Sequence, residues 1–147
     1  MESATATCAA GTLRRATRSI ARAYDRRLAA AGLTTTQFSI LRAIERRNGP
    51  VALSELADEQ VFERTSLYRA LGPLERDGLV TIGPGRGRGK FVALTAKGGK
   101  QIARALPHWH AAQQAFVSRF GRSAWLALSA QLVEIADIAR AMPDGES

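Results

Sequence analysis

Apolar residues return every three or four positions along most of the chain, a spacing that predicts a mainly helical fold. The first such stretch runs from about Thr12 to Ala31, where Leu13, Ala16, Ile20, Ala23, Tyr24 and Leu28 share one side and arginines fill the others. This is an amphipathic helix, stopped by Gly32. Thr34, Thr35 and Thr36 each offer an oxygen to cap a second helix, which carries Phe38, Ile40, Leu41 and Ile44 and is interrupted by Asn48, Gly49 and Pro50. Ser54 is expected to cap a weaker third helix containing Leu56 and Ala57.

A fourth helix is predicted from Glu63 to Arg76, with Leu67, Leu71 and Leu74 on one face and Pro73 bending its second half. Asp77 and Gly78 end it. Leu79 to Ile82 and Phe91 to Leu94 then read as two strands, joined by a glycine-rich, charged tip from Gly83 to Lys90 that has little to bury. Thr95 can cap a further helix, kinked at Pro107 and continuing to Phe120. After Gly121 a final helix carries Trp125, Leu128, Leu132, Ile135, Ile138 and Ala139 on one face, and ends at Met142 and Pro143.

Helix, turn, helix and basic hairpin, in that order, predict a winged helix-turn-helix lobe over 35–106, with a small β-hairpin as the wing. Residues 1–34 and 107–147 flank it as helices whose apolar stripes have no obvious partner inside the lobe. Packing of these helices against each other and against a second copy predicts a two-fold homodimer. A monomer with the helical extension folded onto the core is the alternative.

Composition sharpens this picture. A chain of 147 residues, 46% hydrophobic and 23% charged, is long enough to bury a core without crosslinks. Cys8 is the sole cysteine, which excludes an intrachain disulfide and fits a reducing compartment. No apolar run approaches the roughly 20 residues that a bilayer requires, and the first ten residues lack Lys and Arg, so a cytoplasmic protein is expected.

The net charge of +8 comes from 21 basic and 13 acidic side chains, and eighteen of the bases are arginine. No acidic residue occurs between Asp77 and Glu134, the interval that contains the hairpin. A solvated surface usually mixes signs, whereas one-signed positive charge favours phosphate through counterion release. Double-stranded DNA is the expected partner. Arg64, Thr65, Ser66, Tyr68 and Arg69 occupy the first turns of the helix before the hairpin, where a recognition helix meets bases and phosphates. Arg86, Arg88 and Lys90 supply the charge of the wing.

Enzymatic signatures are missing: the chain contains no HExxH, GxxxxGKS/T or GxSxG. Cys8, His108 and His110 are the only soft or imidazole ligands, and two histidines two apart on a helix point in different directions. No metal site and no cofactor are expected. An architectural DNA-binding protein without a defined operator remains an alternative to a regulator.

The segments LTTTQFSILRAI, LSELADEQVFERTSLYRALGPLERDGLV and VALTAKGGKQIARALPHW, in this order and spacing, resemble the MarR-type regulators, and the resemblance extends over nearly the whole chain. It implies a triangular homodimer built from the terminal helices, which presents two winged lobes to a pseudopalindromic operator. It further implies a ligand- or oxidation-responsive repressor, or less often an activator. Arg64, Thr65, Ser66, Tyr68 and Arg69 match the family's recognition-helix positions, and Arg88 matches its minor-groove wing residue. Where the family commonly carries an acidic residue just before that arginine, this chain has Arg86 and glycines.

For control, the resemblance implies a small aromatic or amphipathic effector, a carboxylate or thioester, in the neighbourhood of Tyr24, Trp109 and His110. Cys8 lies slightly upstream of the position used by peroxide-sensing members, and only Tyr24 and Tyr68 are present to support it. Redox control through Cys8 is therefore the rival mechanism, and zinc a more distant one.

Overall fold

The computed structural model describes residues 8–60, 62–85, 87 and 89–143. In chain order the elements are α1 (Ala9–Leu28), a 3-10 turn (Ala29–Ala31), α2 (Thr35–Arg47), β1 (Val51–Ala52), α3 (Leu53–Gln60), α4 (Arg64–Arg76), β2 (Val80–Pro84), β3 (Lys90–Leu94), α5 (Ala96–Phe120) and α6 (Arg122–Ala141). They form two compact units, one reaching His110 and the other beginning at Ala111.

In the first unit, α2, α3 and α4 enclose a core in which Ile40, Leu41, Ile44, Leu56, Leu67, Leu71 and Leu74 are buried. Each such side chain contributes about 1.5–3 kcal/mol relative to exposure. Among the three threonines it is Thr34 that caps α2. Its hydroxyl accepts from the Gln37 amide at 3.2 Å, and the Gln37 side chain accepts from the Thr34 amide at 3.0 Å. Next to it, Thr35 fastens α2 to α1, donating to Asp25 Oδ1 from its amide at 2.7 Å and from its hydroxyl at 2.6 Å.

The hairpin is one side of a three-stranded antiparallel sheet ordered β1-β3-β2, in which Val51 pairs with Val92 and Pro84 with Lys90. The sequence pattern misses β1, because two residues after Gly49-Pro50 are too few to show alternation. Its presence also corrects the start of α3. The chain passes directly from the strand into the helix at Leu53, so Ser54 lies inside α3 and is not its cap. The first wing strand begins at Val80, one residue after the predicted Leu79 start, although the Leu79 carbonyl still accepts from the Thr95 amide at 3.1 Å in line with the ladder. Pro73 and Pro107 lie within α4 and α5, both of which continue through them.

Thr95 sets α5 against the end of α4. Its hydroxyl donates to the Gly78 carbonyl at 2.6 Å and accepts from the Gly98 amide at 3.0 Å, while Lys97 Nζ donates to the Asp77 carbonyl at 2.6 Å. The approach leaves no room at Gly98, where a Cβ would stand 2.1 Å from the Leu79 oxygen and 2.7 Å from Leu94 Cδ1.

In the second unit, Gly121 turns the chain between helices with φ +102°. Around this turn Phe116 stacks on Phe120 at 5.7 Å and meets Trp125 edge-on at 5.3 Å. No residue of α6 is buried, and Leu126, Val133 and Ile138 are 58%, 63% and 58% exposed.

The neighbouring glycines of α5 provide a paired test, because a Cβ at Gly99 meets nothing within 4 Å. Gly98→Ala is expected to cost about 1–3 kcal/mol through overpacking, and Gly99→Ala to gain up to about 1 kcal/mol in helix propensity. Equal melting temperatures for the two variants would show that the α5 approach is not tight.

Candidate nucleic-acid interface and the adjoining pocket

Leu67, Leu71 and Leu74 recur at helical spacing, so burying them fixes the rotation of α4 and turns its opposite side outward. Arg64, Thr65, Ser66, Tyr68 and Arg69 all lie exposed on the amino-terminal half of that helix, and Tyr68 is 44% exposed. Glu63 occupies the cap position without a side-chain cap bond, and no acidic residue lies in the first turn. The positive end of the helix therefore faces outward beside Arg64, an arrangement suited to a phosphate group.

The wing root lies against this surface. Lys90 Nζ sits 5.8 Å from the centre of the Tyr68 ring, a cation–π contact between β3 and α4. Glu75 Oε2 accepts from the Ile82 amide at 3.2 Å, which ties the edge strand of the sheet to α4. At the tip, the Gly85 amide donates to the Gly89 carbonyl at 3.2 Å, and Gly87 and Gly89 take φ values of +95° and +125° that glycine adopts readily. Arg86 and Arg88 lie outside the described residues.

Arg64, Tyr68 and Lys90 line one cleft of about 250 Å³ together with Ser54. Sequence reasoning read Ser54 only as a cap. Its place beside α4 depends on β1, which no local pattern reveals.

A second cavity of about 390 Å³ lies between α2 and α5. Trp109 stacks on Phe38 at 6.1 Å, His110 meets the Trp109 ring edge-on at 5.1 Å, and Arg42, Arg46 and Gln60 complete most of the wall. Trp109 and His110 are thus brought together. Tyr24 is absent from this wall and is buried in the core, where burial pushes its phenol above the ordinary value. Sequence reasoning missed Arg42 and Arg46 as pocket residues, although with Phe38 they recur every four positions along α2.

Beside this cavity Glu59 joins α3 to α2. Its two oxygens accept from Arg46 Nη2 at 3.1 Å and from Arg47 Nη2 at 2.9 Å. The Arg47 hydrogen bond, aided by Arg46, holds the Glu59 carboxyl below its usual value of 4.5, against a smaller opposing effect of burial. Arg42 pairs separately with Glu45. Cys8 is exposed just ahead of α1. Among the described residues, no three His, Cys, Asp or Glu side chains are grouped to hold a metal ion. Nor is any helix among them long and apolar enough to cross a membrane.

Residues 33–98 match the family model of the winged helix DNA-binding domain. The M. tuberculosis transcriptional regulator MosR, in a crystal structure with DNA, is 38% identical, with a TM-score of 0.83 over 91% of this chain and 97% of that one. A second MosR structure is 37% identical, with a TM-score of 0.82 over 95% and 100% of the two chains. A MarR-family transcriptional regulator from Rhodococcus sp. RHA1 shares the fold at 19% identity, with a TM-score of 0.77 over 89% and 96%. No curated protein matches the chain significantly.

An exposed basic helix face beside a wing, on a lobe of this topology, defines a winged helix-turn-helix DNA-binding protein. The chain belongs to the MarR family of transcriptional regulators. It is a DNA-binding regulator.

The Glu59 link carries a pH signature. Because the folded carboxyl titrates below the ordinary glutamate value, its stabilisation is present at neutral pH and disappears as pH falls through the lowered value. Glu59→Gln is expected to cost no more than about 1 kcal/mol at neutral pH, as for an exposed ion pair. Thermal unfolding of both proteins should converge in acid. A difference that persists undiminished there would assign the effect to packing.

Proposed function

We propose that this regulator acts as a homodimer that recognises a pseudopalindromic operator and represses transcription until a small aromatic or amphipathic carboxylate releases it. The observation that carries the reading is the exposed face of α4 beside the wing root, where Arg64, Tyr68 and Lys90 share one cleft. In this reading Arg64 and Arg69 supply forked donors to base edges or phosphates. Thr65, Ser66 and Tyr68 add shorter contacts, and Arg86, Arg88 and Lys90 follow the backbone from the wing. Residues 35–106 are the DNA-binding lobe.

Dimerisation is assigned to residues 1–34 and 107–147. The exposed Leu126, Val133 and Ile138 on α6 support it, since an apolar helix surface of this kind is covered in the working protein. The pocket at Trp109 and His110 supports the ligand, with an aromatic floor for its body and arginines for its charge.

Sedimentation at low micromolar concentration is expected to give twice the 15.8 kDa chain mass, and Val133→Asp with Ile138→Asp to give monomer. Selection from a random duplex library should enrich a palindrome with half-sites about one helical turn apart. Enrichment of no motif would favour the architectural role. Release of that duplex by an aromatic carboxylate should persist in Cys8→Ser and be lost in Trp109→Ala. Release by peroxide that is lost only in Cys8→Ser would replace the ligand with redox control.

A further inference from the structure

The pocket shares a side chain with the joint between α2 and α3, and the sharing is unequal. Arg42 and Arg46 lie one turn apart on α2 and both face the cavity, beside the Phe38 and Trp109 rings. Arg46 also holds one oxygen of Glu59, while Arg47 holds the other from outside the pocket. One carboxylate thus has two guanidinium partners, and only one of them can reach a ligand. Gln60 follows Glu59, ends α3 and lines the same cavity, so the pocket touches the start of the turn that leads to α4.

We infer that an aromatic carboxylate bound here takes Arg46 from Glu59 while Arg47 keeps Glu59 paired, so that occupancy loosens the α2 to α3 link at the helix-turn-helix turn. The inference rests on the ligand reading of the pocket and specifies how it is coupled to DNA. The exchange leaves no carboxylate unpaired: Arg46 trades one oxygen partner for another, and Glu59 retains its 2.9 Å contact with Arg47. Arg46 is about half exposed, so little reorganisation opposes its swing. A ligand that prefers the loosened link and a duplex that prefers the intact one exclude each other by the same factor in both directions.

Benzoate, with neutral benzamide as its control, tests the exchange by calorimetry on the full-length protein, each variant first checked for native folding by circular dichroism. Glu59→Gln removes the competitor for Arg46 and should tighten benzoate roughly two- to fivefold, the range for a partly exposed ion pair. Arg47→Ala should weaken benzoate by a similar factor although Arg47 does not line the pocket, because the departure of Arg46 would then leave Glu59 unpaired. In the double variant the Arg47→Ala penalty should vanish, whereas simple field effects would combine additively. Benzamide should be unaffected throughout.

Benzoate binding that requires Trp109 but shows additive or absent effects at Glu59 and Arg47 would overturn the exchange and leave the ligand reading intact. Failure of benzoate to bind at millimolar concentration, or binding unaffected by Trp109→Ala, would overturn both.

Discussion

The burial of Leu67, Leu71 and Leu74 is the constraint on which the rest of this structure depends. Three leucines at helical spacing allow α4 only one rotation against α2 and α3. Arg64, Thr65, Ser66, Tyr68 and Arg69 are thereby turned to solvent together. Three polar ties then fix what stands beside that face. Glu75 accepts the Ile82 amide from the edge of the wing, and Thr95 and Lys97 hold the carbonyls at the end of α4. The exposed face of α4, the wing and the start of α5 are thus positioned by contacts among neighbouring parts of the chain.

The same helices that enclose the core also carry the pocket. Phe38 reaches the Trp109 ring from the helix that buries Ile40, Leu41 and Ile44, and Arg42 and Arg46 follow it along the partly exposed side. Glu59 connects this side of α2 to the helix before α4 through exposed groups. Such a link contributes little to stability, so its rearrangement would cost little.

What was legible in the sequence follows from how local its physical cause is. The helices and the wing could be read because their apolar spacing and stop residues are local, as with the leucines of α4 and Gly32 after α1. The two-residue β1 could not, because Val51 becomes a strand only by pairing with Val92, forty-one residues away. Ser54 was misread as a cap for the same reason. Trp109 and His110 enter as candidates through the family resemblance, but the arginines that share their cavity come from another helix, and no spacing rule joins positions 42 and 109. Nothing local marks Gly98, whose constraint comes from the Leu79 carbonyl that α5 approaches.

The central claim is that the face of α4 opposite its leucines reads DNA sequence. Its most direct test is the affinity of wild type and Arg69→Ala for the selected palindrome and for a scrambled duplex of the same composition, each across a salt series. Loss of a base contact is predicted to weaken palindrome binding by about 1–3 kcal/mol while scrambled-duplex binding changes much less, narrowing the ratio between them. Equal losses on both duplexes would make Arg69 a phosphate contact, and no loss on either would contradict the assignment of this face.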